Sequence, residues 1–148
     1  MAPITGSSTA DIHAPLEEVW ELVEDVEQAP NWQGGLKDIE PLERDGEGRV
    51  TLVESETDAK VRAVKSVVRF AYEPPIRLSW TQEKGELKSV VGSWVLEDLG
   101  DGRTRATYDL EVDLGRMLGI VIRGPLVDAL RSMLVNARAG ELKQAIEA

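Results

Sequence analysis

Between Thr104 and Leu114 polar and apolar residues alternate without a break, and few patterns leave a chain less choice. Thr104, Ala106, Tyr108, Leu110, Val112 and Leu114 share one parity, while Arg105, Thr107, Asp109, Glu111 and Asp113 share the other. Successive side chains of a strand point to opposite faces, so this segment is a strand with one wet face and one face that must be covered. Extended segments precede it near Leu36 to Leu42, Arg49 to Glu56, Lys60 to Tyr72, Arg77 to Glu83 and Lys88 to Leu96. Turn-forming stretches separate most of them: Asp45-Gly46-Glu47-Gly48, Glu73-Pro74-Pro75, Lys84-Gly85-Glu86 and Gly100-Asp101-Gly102. Short connections between strands force antiparallel neighbours, which predicts a meander.

The cover follows the last strand. From Gly124-Pro125 onward Leu126, Leu130, Met133, Leu134 and Ala137 recur at helical spacing and continue to Leu142 and Ile146, with charged residues between. This predicts one long amphipathic helix. At the other end, Ile4, Gly6, Ser8, Ala10 and Ile12 alternate with polar residues as a first strand. Pro15 then opens a short helix whose apolar stripe is Leu16, Val19, Trp20 and Val23, with Glu17 and Glu18 in its first turn. A further partial turn ends near Pro30, and Gly34-Gly35 releases the chain into the meander. No linker or repeat divides these elements. Residues 1–148 therefore read as a single α+β domain in which seven antiparallel strands pack against a C-terminal helix, with two short helices after strand one.

Charge and composition narrow the function. With Lys+Arg 17 and Asp+Glu 27 the net charge is -10, which repels phosphate backbones, so no nucleic-acid partner is expected. There is no cysteine and only His13, so neither thiolate chemistry nor a histidine or sulfur metal site is available; no metal and no cofactor are expected. The first residues lack the charged and apolar regions of a secretion signal, and the apolar run Met117 to Ile122 is too short to span a bilayer. The expectation is a cytoplasmic protein without stable membrane insertion, as monomer or homodimer.

The order of Ala14-Pro15-Leu16-Glu17-Glu18-Val19-Trp20, Asp25-Val26-Glu27 through Pro30-Asn31-Trp32, Gly92-Ser93-Trp94 and the terminal helix resembles the START-like (SRPBCC, Bet v 1-like) superfamily. The branch it is most similar to is that of polyketide cyclases/dehydrases and coenzyme Q-binding proteins. The resemblance spans nearly the whole chain. It implies a helix-grip fold, a curved sheet wrapped around the C-terminal helix, with a deep cavity between them for a small hydrophobic molecule such as a lipid, quinone or polyketide. It does not imply catalysis, because fold analogy alone does not choose a function.

Trp80 and Trp94 share faces with Leu78 and Leu96, Tyr108 points with Leu110, and Val68, Phe70 and Tyr72 alternate together. These side chains either line a cavity or fill a solid core, since one sheet face builds both. Trp32, between a breaker and Gly34-Gly35, is a candidate gate or a plain packing residue. Leu126, Leu130 and Met133 are the helix residues that would close the cavity, with room beneath the second half of the helix near Ala137 and Gly140. Arg62 and Arg69 are the candidates to bring a cation inside, depending on strand parity, whereas His13 reads as an exposed loop residue. No paired acid and base emerges, so no catalytic residue is assigned. The leading reading is a carrier or sequestering protein for a hydrophobic ligand. The alternatives are a polyketide aromatase/cyclase or dehydrase and an interaction protein, such as a respiratory accessory factor, using an apolar lip at Met117 to Ile122.

Overall fold

The computed structural model describes residues 4–148. Seven strands form one antiparallel sheet: β1 (Ile4–Ile12), β2 (Leu36–Arg44), β3 (Val50–Asp58), β4 (Ala63–Glu73), β5 (Arg77–Gly85), β6 (Ser89–Gly100) and β7 (Arg103–Asp113). Their order is β1-β7-β6-β5-β4-β3-β2, so β2 to β7 form the expected meander and β1 joins the far edge beside β7. Helix α1 (Leu16–Glu24) and a 3-10 turn (Val26–Asn31) carry the chain from one edge strand to the other.

The alternation read from β7 is realised directly. Thr104, Ala106, Tyr108, Leu110 and Val112 are buried, while Arg105, Asp109 and Glu111 are exposed. In β1, Ile4 and Ile12 are buried and Thr5, Ser7, Thr9 and Asp11 lie in solvent. The two strands pair Ser8 with Tyr108 and Ala10 with Ala106, which aligns their inner faces. Val19, Trp20 and Val23 of α1 enter the core as their spacing requires.

The C-terminal segment differs from the expected single helix. Helix α2 (Gly115–Val121) comes first, then α3 (Pro125–Arg131), a π-helical turn (Ser132–Asn136) and α4 (Arg138–Glu147). The Ala137 N–H donates to Ser132 O at 3.1 Å, a bond that spans five residues and so accommodates one extra. That extra residue rotates the phase of everything after it. Ala137 and Gly140, expected to face the sheet, are exposed, whereas Val135, Arg138, Ala139 and Leu142 are buried. The second half therefore presents Arg138, Ala139 and Leu142 to the interior in place of Ala137 and Gly140.

The α4 half is held along β1 by polar contacts as well as packing. The Ala139 N–H donates to Ser8 Oγ (3.2 Å), Lys143 Nζ to Asp11 O (2.6 Å) and the His13 backbone N–H to Glu147 Oε2 (2.9 Å). The apolar run from Met117 to Ile122 is divided: Leu118 and Ile122 are buried, while Met117, Ile120 and Val121 stand in solvent. Among the described residues no helix is long and apolar enough to cross a membrane.

Candidate functional site

Between the inner sheet face and the helical cover lies a cavity of ≈ 150 Å³, lined mainly by apolar side chains. Its wall draws on every strand, on the α1 and 3-10 segment, and on Leu130, Leu134 and Arg138 of the C-terminal segment. An engineered protein cavity of about this volume with an apolar wall stays dry and admits a benzene-sized molecule. The space therefore suits one aromatic ring or a short aliphatic body.

A belt of aromatic rings runs along one side. Phe70 and Trp80 have centroids 5.9 Å apart, Trp80 and Tyr108 5.6 Å, and Trp94 and Tyr108 4.8 Å, all tilted. Such spacings are those of attractive aromatic pairs. Trp80 sits where it does because its strand neighbour is Gly92. A Cβ on Gly92 would fall 2.4 Å from the indole, so only glycine lets the ring lie flat against β6.

Of the ten side chains expected at the cavity, Val68, Phe70, Trp80, Trp94, Tyr108, Leu110 and Leu130 line it. Trp32, Leu126 and Met133 are not in its wall. Trp32 packs on Trp94 from outside the wall, with centroids 6.1 Å apart, and its buried indole N–H has no acceptor. Met133 turns instead toward Gly35, where a Cβ would come within 2.9 Å of its methyl; with φ +82 that position favours glycine on conformation as well.

The cation that enters the wall is neither arginine proposed from strand parity. Arg62 lies in the β3–β4 turn and pairs with Glu86, and Arg69 is on the outer face between Glu43 and Glu83. Arg138 is the buried one, at 3% exposure. Its Nη1 donates to Gly34 O (2.9 Å) and Glu141 Oε1 (2.8 Å), and the Gly34 N–H donates to Glu141 Oε2 (2.8 Å). A closed ring of hydrogen bonds thus straps the Gly34 loop to the helix. The guanidinium also lies 5.6 Å from the Tyr108 ring centroid, within cation–π range. Burial pushes the Tyr108 phenol above its ordinary pKa, and the neighbouring Arg138 only partly offsets this, so the phenol keeps its proton at neutral pH. Sequence reasoning missed Arg138 because a continuous helix phased on Leu130 and Ala137 leaves position 138 unassigned. Among the described residues no group of three or more His, Cys, Asp or Glu side chains could hold a metal ion.

Residues 12–138 match the family model described as polyketide cyclase/dehydrase and lipid transport. The chain belongs to this family. No match is found among curated proteins. Among solved structures the cyclase/dehydrase family chain is similar to a START superfamily protein from Mycobacterium smegmatis, with TM-score 0.81, 20% identity and 97% of each chain covered. It is also similar to a Thermus thermophilus protein, with TM-score 0.76, 21% identity and 95% of this chain and 97% of that one covered. A third likeness is to the ZhuI aromatase/cyclase from Streptomyces, with TM-score 0.66, 20% identity and coverage of 96% and 82%. At these identities the likeness is one of fold, the START helix-grip arrangement of seven antiparallel strands and a C-terminal helix.

Proposed function

We propose that this cyclase/dehydrase family member binds and shields a small hydrophobic molecule in the cavity, without transforming it. The observation that carries the reading is the cavity itself: ≈ 150 Å³ of space walled mainly by apolar side chains, Phe70, Trp80 and Trp94 among them. Unfilled apolar volume costs stability that a solid core would keep, and a ligand that fills it recovers dispersion contacts. Among the described residues of the wall the titratable side chains are Tyr108 and Arg138, and Arg138 is already paired with Glu141 at 2.8 Å.

Binding is tested by following backbone amide resonances during titration with single-ring hydrocarbons, beside native mass spectrometry of gently purified protein. The Val68→Phe variant should abolish binding while its melting temperature stays near that of the parent, because the added ring enters a void. In a solid core the same change should instead cost ~1–3 kcal/mol. Marked destabilisation together with no binding by the parent would overturn the reading.

A second reading, polyketide cyclisation, draws on the likeness to the aromatase/cyclase and on the protonated Tyr108 phenol in the wall. There the phenol would donate a hydrogen bond to a reacting carbonyl. Turnover of a polyketide mimic that is lost in Tyr108→Phe would support it; turnover unaffected by that change would remove Tyr108 from the mechanism.

A further inference from the structure

We propose that the end of the sheet carrying α2 docks on anionic lipid surfaces, with Met117, Ile120 and Val121 entering the headgroup layer and Arg116 and Arg123 meeting its anions. The inference goes beyond the binding reading and stands apart from it, since a surface can dock whether or not the cavity takes a ligand.

In an antiparallel meander successive turns fall at alternate ends of the sheet. The β3–β4 turn, the β5–β6 turn and the exit from β7 into α2 therefore share one end. These connections carry Lys60, Arg62, Lys88, Arg116 and Arg123, all exposed, against Glu86 alone. Adding Asp58 and Asp113, the last residues of β3 and β7, still leaves the cations in excess. The other end is acidic. Helix α1 and the turn after it stand there, with Glu24 on Arg49 beside the β2–β3 turn at 2.9 Å and Ala14 O accepting from Thr104 near the start of β7. From Leu16 to Asn31 the chain holds Glu17, Glu18, Glu21, Glu24, Asp25 and Glu27 and no cation. The net charge of -10 is thus unevenly spread, and the field of an anionic surface turns the α2 end toward it. Screening limits each charge to a reach of ~8 Å at physiological salt, so the near end decides what that surface feels.

The same end bears an apolar contact. On α2 Met117 is 83% exposed, Ile120 60% and Val121 53%, while Leu118 and the following Ile122 anchor the segment in the core. Arg116 and Arg123 flank these side chains in sequence, and from Leu114 to Val127 there is no acidic residue. Apolar tips beside cations are how peripheral proteins hold an anionic bilayer, because apolar burial and charge attraction add. Two other occupants fit less well. Three side chains on a seven-residue helix offer far less than the roughly 800 Å² per partner of a stable protein interface. A second copy across a two-fold axis would set Arg116 and Arg123 against their own kind. The cavity extends the same way. Ala59, Leu87 and Leu114 bring its wall to these connections, and among the described residues no wall residue comes from the β2–β3, β4–β5 or β6–β7 turn. A docked molecule would hold that end of the cavity toward the bilayer.

The test is flotation of the full chain with vesicles of phosphatidylcholine and phosphatidylglycerol in equal parts, against pure phosphatidylcholine, with the oligomeric state measured alongside. The mixed vesicles should carry the protein and the pure ones should not. Raising NaCl from roughly 0.1 M to roughly 1 M should release it, because the screening length shrinks about threefold. Changing Arg116→Gln and Arg123→Gln together should weaken binding roughly 30-fold, the effect of two cations near such a surface. Ile120→Asp should weaken it roughly 10-fold or more. Ile76→Asp, in the β4–β5 turn at the opposite end and 50% exposed, should leave it unchanged. Melting temperatures check that each variant folds, and the salt release of the parent needs no variant. Absence of flotation with the mixed vesicles would overturn the proposal and leave the binding reading untouched. Equal flotation with pure phosphatidylcholine, or indifference to salt, would overturn docking by charge complementarity. Equal weakening by Ile76→Asp and Ile120→Asp would overturn the assignment to α2. Dimerisation of the parent that Ile120→Asp abolishes would give the patch to a second copy and overturn the lipid surface.

Discussion

The two halves of the C-terminal cover do different work. Segment α3 contributes one buried side chain, Leu130, and one hydrogen bond to the sheet, from Arg131 Nε to Thr5 O at 3.1 Å. Segment α4 buries Arg138, Ala139 and Leu142 and is tied to β1 and its following turn through Ala139, Lys143 and Glu147. The cavity lies under the boundary between them, at Leu130, Leu134 and Arg138. One half is a fixed rail and the other a loosely held cover, with the π turn between. A helix that had to pack tightly along its whole length would leave no volume for a ligand, and dividing the tasks keeps both stability and space.

Truncating one apolar residue of the rail and one of the π turn over the cavity should break that contrast if it is false. Leu142 is fully buried in the rail. Leu142→Ala should cost ~2–5 kcal/mol, the usual range for a leucine removed from a filled core. Leu134 is half-buried and borders existing empty space. Leu134→Ala should cost about 1 kcal/mol or less, since only part of its surface is removed from water. Urea denaturation of the pair measures both. Equal losses would mean that the chain over the cavity packs as tightly as the rail.

The phase change at the π turn invites a sharper test with small residues. Ala139 is buried at 1% exposure and its N–H bonds Ser8 on β1, whereas Ala137 is exposed. Ala139→Leu should cost ~1–3 kcal/mol by overpacking. Ala137→Leu should change stability by no more than about 0.5 kcal/mol. A continuous helix phased on Leu130 predicts the reverse order, so thermal melts of the two variants decide between the arrangements.

That phase is also where the sequence stopped being readable. The sheet was legible because alternation in β7 and β1 is strict and glycine or proline marks most turns, so the β2 to β7 meander and the inner faces of β1 and β7 followed from local pattern, whereas the place of β1 beside β7 did not. Arg69 was ambiguous because both Val67 and Val68 are buried, next to an irregularity in the β4–β5 register, which hides the parity of that strand. The helix carried two stripes: Leu126, Leu130 and Leu134 in one phase, and Val135, Ala139, Leu142 and Ile146 in the next. A one-residue offset between stripes is the mark of a π turn, yet with Met133 and Ala137 also apolar a single stripe fitted almost as well. Choosing it placed Ala137 inside and left Arg138, the buried cation of the cavity, unseen. The cavity could not be distinguished from a solid core, because inward-facing Trp80, Trp94 and Tyr108 satisfy both and only the helix position separates them.

The smallest expected effect lies at the far end of the rail, where Glu147 closes the helix onto the turn after β1. Its carboxylate accepts from Lys143 Nζ (2.8 Å) and from the His13 backbone N–H (2.9 Å), and these bonds hold its pKa down to about 2 from an ordinary 4.5. A carboxyl whose pKa is lower folded than unfolded favours the folded state while it is ionised in both. The contribution is complete above the unfolded value near 4.5 and is lost as pH falls from there through about 2. Its size is small, since the group lies at the surface where solvent screens the pair. Asp11, Glu83 and Glu86 are also held below their ordinary pKa values by neighbouring cations or N–H donors, so the protein as a whole should weaken in acid. Comparing the parent with Glu147→Gln cancels that shared background. The parent should melt higher by a constant margin above about pH 5, and the margin should shrink toward zero as the pH approaches 2. A margin that persists unchanged in acid would mean that Glu147 acts by packing rather than charge, and that the rail is fastened to β1 by Ala139, Leu142 and Lys143 alone.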